Sequence, residues 1–97
     1  MIPVLNKKSD VIPKGAVYIG RPSPFGNPFP IKGVNTREVV IEKFRKYFLH
    51  RAGDDRVFMG ALRMLRKEAT ALVCFCSPLK CHGDVIAEYL KTMKEAT

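Results

Sequence analysis

Residues 20–33 read GRPSPFGNPFPIKG, with four prolines and three glycines in fourteen positions. Proline fixes φ and removes a backbone donor, while glycine admits φ > 0, so no helix or strand can run through this stretch. It is a long, internally stiffened loop, and loops of this length in compact domains often carry function. The loop also divides the chain. Ahead of it, Ile2–Leu5 and Ala16–Ile19 are rich in Val, Ile and Tyr and bounded by Pro and Gly, which reads as two short strands.

Behind the loop the period changes to that of helices. Asn35 is placed to cap a helix, and Glu38 three residues on can return the bond in a box-like cap. Val40, Phe44, Tyr47 and Phe48 then fall on one face, with His50 near the helix end as a partner for its dipole. Asp54 is the expected cap of a second helix, whose stripe is Val57, Phe58, Ala61, Leu62 and Leu65. Thr70–Cys76, TALVCFC, is short, apolar and β-prone towards its end, as in a strand covered on both faces. A last helix buries Val85, Ile86, Tyr89, Leu90 and Met93, starting from Ser77 or from Asp84 as cap. The order strand, loop, helix, helix, strand, helix predicts one small α/β domain over residues 1–97. Its sheet should be short and mainly parallel, with two to four strands, three helices and a right-handed crossover.

Composition narrows the function classes. The 97 residues carry 17 Lys+Arg against 9 Asp+Glu, a net charge of +8. The longest apolar run, Ala71–Cys76, is far short of the ~20 residues that span a bilayer. The first residues lack the order of a signal peptide, and three cysteines without one point to reduced thiols in a cytoplasmic setting. The basic balance favours an anionic partner, most simply a small phosphorylated molecule, otherwise nucleic acid or an acidic protein surface. Arg45, Lys46, Arg56, Arg63, Arg66 and Lys67 lie largely off the apolar stripes, so these faces either track phosphates or are simply solvated. A short sheet with open edges also allows a homodimer.

Chemistry concentrates in two segments, each leaving the carboxyl end of a strand. If those strands are parallel neighbours, the segments share one crevice. In the first, Arg21 can fork onto phosphate and Asn27 offers a donor and an acceptor; Ser23 adds a hydroxyl, and Gly20 and Gly26 allow close backbone approach. The plainer alternative is a loop whose Asn27 bonds its own backbone and whose Phe25 and Phe29 plug the core. The second segment, CFCSPLKCHGD, holds all three cysteines within nine residues of His82. It supports three readings. Cys74, Cys76, Cys81 and His82 supply the donors of a tetrahedral zinc site. Alternatively, Cys81 at a helix start beside Lys80 and His82 is a thiolate nucleophile, with His82 as acid/base and Asp84 orienting it. In the third, Cys74 and Cys76 are small core residues and His82 a capping donor.

Taken together, Val17-Tyr-Ile-Gly-Arg-Pro-Ser-Pro-Phe-Gly-Asn-Pro-Phe29, the Thr36-Arg-Glu helix start and Cys74-Phe-Cys-x-Pro-x-x-Cys-His-Gly-Asp-Val85 resemble a family of small domains of unknown function. That family is encoded by bacteria and by many bacteriophages. The resemblance spans nearly the whole chain, with Phe25 and Phe75 standing where tryptophan is expected. It implies Arg21, Asn27, Cys76, Cys81, His82 and Asp84 as site residues, and a bacterial or infected-host cytoplasm as the setting. The sequence thus predicts a nucleotide or similar phosphorylated ligand between the Gly20–Phe29 loop and the Cys81–Asp84 helix start, bound there and, if Cys81 and His82 act as a catalytic pair, processed there. The rival is a non-catalytic basic effector that binds host protein or nucleic acid through Arg45, Arg56, Arg63 and Arg66, with or without zinc.

Overall fold

A three-stranded parallel sheet and three helices make up the computed structural model, which describes residues 2–33, 35–76 and 79–93. The strands are β1 (Val4–Asn6), β2 (Val17–Tyr18) and β3 (Leu72–Cys74), each within a segment that the sequence marks as a strand or one residue beyond it. β3 lies between the other two, and both pair with it in parallel. The register sets Leu72 against both Val4 and Val17, and Val73 against both Leu5 and Tyr18. A strand in that position needs apolar side chains on both faces, and Leu72, Val73 and Cys74 are all buried.

The helices are α1 (Arg37–Asp54), α2 (Arg56–Glu68) and α3 (His82–Thr92). α1 packs on α2 and α3, and α3 lies against β3 and β1. Phe44 and Phe48 of α1, Phe58 and Leu62 of α2, and Ile86 and Leu90 of α3 share one core with Ile19 and Leu72. Part of that core is a row of rings. Phe25 of the loop meets Phe58 at 5.9 Å between centroids, Phe58 meets Phe48 at 5.5 Å, Phe48 meets Phe44 at 5.6 Å, and Phe44 meets the His82 imidazole at 5.2 Å. The loop and the start of α3 are thereby tied to the same packed layer. Among the described residues, no helix is long and apolar enough to cross a membrane.

Each helix starts one or more residues away from its expected cap. Thr36 caps α1, its Oγ1 accepting the Val39 N–H at 3.4 Å, while the Asn35 side chain accepts from Lys43 Nζ instead. Glu38 therefore falls at the second helical position and closes no box. Asp55, not Asp54, caps α2 and accepts the Phe58 N–H at 3.0 Å. This shift leaves Val57 on the outer side of the first turn, 84% exposed, so the second stripe begins at Phe58. For α3 the cap is Cys81; Ser77 lies outside the described residues, and Asp84 sits at the third position and closes a capping box. His50 lies within α1, which continues to Asp54.

Candidate functional site

Because β2 and β3 are parallel neighbours, the loop after Tyr18 and the segment after Cys74 leave the sheet at the same end. Between them lies a cleft of about 350 Å³. Gly20, Arg21 and Asn27 line it from the first loop, Cys74, Cys76, Cys81 and His82 from the second segment and the start of α3, with Tyr18, Phe75 and Arg37 also on its wall and Phe29, Ile31, Val40 and Ile41 supplying an apolar part.

The first loop is built on itself. Ser23 N–H bonds Gly20 O at 2.9 Å, Gly26 N–H bonds Ser23 O at 3.0 Å, and Arg51 of α1 reaches Pro24 O at 3.3 Å. A Cβ on Gly26 would stand 3.1 Å from Arg21 Cα, so this glycine lets the loop close on Arg21. Ser23 and Gly26 stay out of the cleft lining: the Ser23 hydroxyl accepts the Phe25 N–H at 3.3 Å, and both residues shape the turn. Asn27 does line the cleft, yet its carbonyl oxygen already accepts the Phe29 N–H at 2.8 Å. What remains for a ligand is its amide NH2. Phe25 is buried and Phe29 half-buried, so the loop both plugs the core and forms a wall.

The second wall is chemically denser. Cys81 is 3% exposed; its Sγ accepts the Gly83 N–H at 3.3 Å and lies 3.4 Å from Cys74 Sγ. Cys74 Sγ in turn accepts the Cys76 N–H at 3.4 Å. Cys74's thiol pushes the Cys81 thiol up, with burial adding to it, because ionising one of two touching thiols opposes ionising the other. This contact with Cys74 opposes the thiolate that the helix start and Lys80 would favour at Cys81. Asp84 does not orient His82: its Oδ2 accepts the Cys81 backbone N–H at 2.9 Å as part of the cap.

His82 is buried, with Nε2 2.8 Å from Ile19 O. A carbonyl can only accept, so Nε2 carries the proton. Burial pushes the imidazole below its usual range and keeps it neutral. Nδ1 is then the lone-pair nitrogen. The glycine after His82 allows close packing on the sheet, since a Cβ there would come within 2.7 Å of Ile19 Cδ1 and 3.0 Å of Val4 Cγ1 and force those side chains to shift.

Two parts of the site were not among the sequence candidates. Arg37 lines the cleft and donates to Lys80 O at 3.0 Å, bridging α1 to the second segment. A cation at the first position of a helix opposes the dipole, and that misplacement is the signal that could have found it. Tyr18 and Phe75 form an edge-on pair at 5.9 Å, with Lys7 Nζ 5.2 Å and 5.8 Å from their centroids and Lys8 Nζ 5.8 Å from that of Phe75. Phe75 is 49% exposed, an aromatic ring held at the mouth rather than packed away.

Residues 3–92 match DUF4326, a domain of unknown function. The chain belongs to that family. An uncharacterized 12.4 kDa protein in the nrdA-td intergenic region of Enterobacteria phage T4 is 36% identical over 91 residues, covering 93% of this chain and 78% of the phage protein. No solved structure matches the chain. In this DUF4326 domain the basic faces are partly occupied: Arg45 pairs with Glu42 at 3.5 Å and with Glu88 at 3.6 Å, and Arg66 donates to Leu90 O at 3.2 Å. Arg56 and Arg63 are exposed.

Proposed function

We propose that the cleft binds a nucleotide or similar phosphorylated molecule. The observation that carries this reading is the composition of its walls. Two arginines, 21 and 37, and the Asn27 amide line the same space as the half-exposed ring of Phe75 and its partner Tyr18, at the carboxyl ends of neighbouring parallel strands. Guanidinium groups fork onto phosphate oxygens, an amide NH2 donates to a base or sugar, and an aromatic ring offers a face for a planar base. No carboxylate is among the described lining residues to repel an anion. Burial, which lowers His82, and the Cys74 contact, which raises the Cys81 thiol, both favour polar contact with the ligand over attack on it, so the reading is one of binding.

The test is a thermal-shift screen of the reduced protein against nucleoside mono- and diphosphates, followed by titration calorimetry of any hit. A ligand at 100 times its Kd adds about 2.7 kcal/mol to stability and raises the melting temperature visibly. Arg21→Ala should weaken the hit about tenfold or more, the scale of a lost charge-assisted bond. The unphosphorylated nucleoside should bind more weakly than its phosphate. A nucleoside that binds as well as its phosphate, or an Arg21→Ala variant that binds unchanged, overturns the reading. So does a screen without a shift at millimolar concentrations.

A further inference from the structure

Three thiols converge on one wall of the cleft. Cys74 ends β3, Cys76 follows two residues later, and Cys81 caps α3. Their Sγ atoms all lie within 4.8 Å of one another. Three sulfurs held ~2.3 Å from a zinc ion at the tetrahedral angle are about 3.8 Å apart. The 3.4 Å between Cys74 and Cys81 and the 4.8 Å bound on every pair bracket that spacing. Two of the sulfurs already accept backbone N–H bonds, from Cys76 and from Gly83. Such donors favour sulfur in its anionic, metal-ligating form.

We propose that Cys74, Cys76 and Cys81 hold one zinc ion whose fourth position opens into the cleft. His82 stands outside the group of convergent donors, with its Nε2 committed to Ile19 O and its ring edge-on to Phe44. All three cysteines line the cleft, so the remaining ligand is a water or a donor atom of whatever the cleft binds. Zinc sites with three protein ligands and one exchangeable position are open sites, in contrast to closed structural ones. Binding converts three thiols to thiolates, releases three protons and leaves a site of net charge −1, which Arg21 and Arg37 on the same cleft offset. A disulfide between Cys74 and Cys81 would use only two of the three sulfurs and needs an oxidant. The proposal rests on the sulfur geometry and does not depend on a nucleotide occupying the cleft.

The experiment begins with native mass spectrometry of the freshly purified, reduced protein and with zinc titration against a competing chelator. One zinc per chain is expected. Cys76→Ala, a change at a half-buried position, should keep the wild-type circular dichroism and lose at least about 100-fold in zinc affinity, since even outer-shell changes cost 10–100-fold. Cobalt(II) in place of zinc should show thiolate charge-transfer and tetrahedral ligand-field bands, and added imidazole should shift them by entering the fourth position. A reduced protein that neither carries nor takes up zinc overturns the site. A folded Cys76→Ala protein that binds zinc as tightly as wild type also overturns it. A cobalt spectrum indifferent to imidazole overturns the open position.

Discussion

The starts of α2 and α3 solve the same backbone problem with different chemistry. Both leave orphan N–H groups that a side chain must satisfy. At α2 the cap is Asp55, one of the residues favoured for the task; it accepts the Phe58 N–H and forms an ion pair with Arg51 at 3.4 Å. That Phe58 bond, with help from Arg51, holds the Asp55 carboxyl below its ordinary value. The next residues, Arg56 and Val57, face solvent. At α3 the cap is a thiol, a weak acceptor outside the usual set, and the next residues, His82 and Gly83, are buried against the sheet. The first start presents its outer side, Arg56 and Val57, to solvent, while Phe58 and the Asp55 partner Arg51 tie its inner side to the core and the loop. The second is joined to two strands and the cleft, and a serine would cap it as well, so capping does not explain the cysteine.

The largest expected effect comes from adding bulk at the second helical position of α3. Gly83→Val should cost about 1–3 kcal/mol, the range for overpacking, because its new atoms meet Ile19 and Val4. Urea denaturation at constant m-value measures it, and a loss below the error of the fit would mean that α3 is not pressed on the sheet. The next effect is one of pH. The neutral, buried His82 takes up a proton more readily in the unfolded chain, so its contribution is full above the unfolded value near 6.5 and is lost as pH falls below it. The protein should melt lower at pH 5 than at pH 7.5, and His82→Gln, whose amide can still donate to Ile19 O, should lose most of that difference. Equal slopes in the two proteins would place the proton-sensitive group elsewhere. The smallest effect belongs to α2: Val57→Ala, at a position 84% exposed, should stay within about 0.5 kcal/mol of wild type.

What could be read from the sequence follows the same division. Helix stripes were legible because burial repeats at a fixed period, so Phe44, Phe48, Phe58, Leu62, Val85 and Leu90 fell inside as their spacing requires, whereas the order of the strands was not, since a strand's own residues do not say which neighbour it pairs with. Caps were legible only to within a residue. Asn35 and Thr36, like Asp54 and Asp55, are neighbours of equal competence, and which one turns inward is decided by contacts such as that of Lys43 with Asn35. The cleft itself was legible as two loops leaving one end of a parallel sheet, and the convergence of the three cysteines as a dense motif. The contact that pushes the Cys81 thiol up was hidden, because it depends on Cys74 arriving from the strand at 3.4 Å. Arg37 was hidden for a related reason. Its role is set by a carbonyl 43 residues further along the chain.

The strand order β1-β3-β2 carries a consequence for how the molecule assembles. The first two strands are not each other's neighbours, and each must wait for β3, which comes only after both long helices. Both pairings are therefore remote in sequence, and loop closure has to be met before any ladder bond repays it. A nascent chain can wind α1 and α2 early but holds no sheet until residues 72–74 are available to pair with both β1 and β2. The cleft is complete only when the start of α3 follows β3, and an occupant of its walls thus joins the end of β2 and the loop after it to the latest segment, acting as a clasp between the early and late parts of the chain.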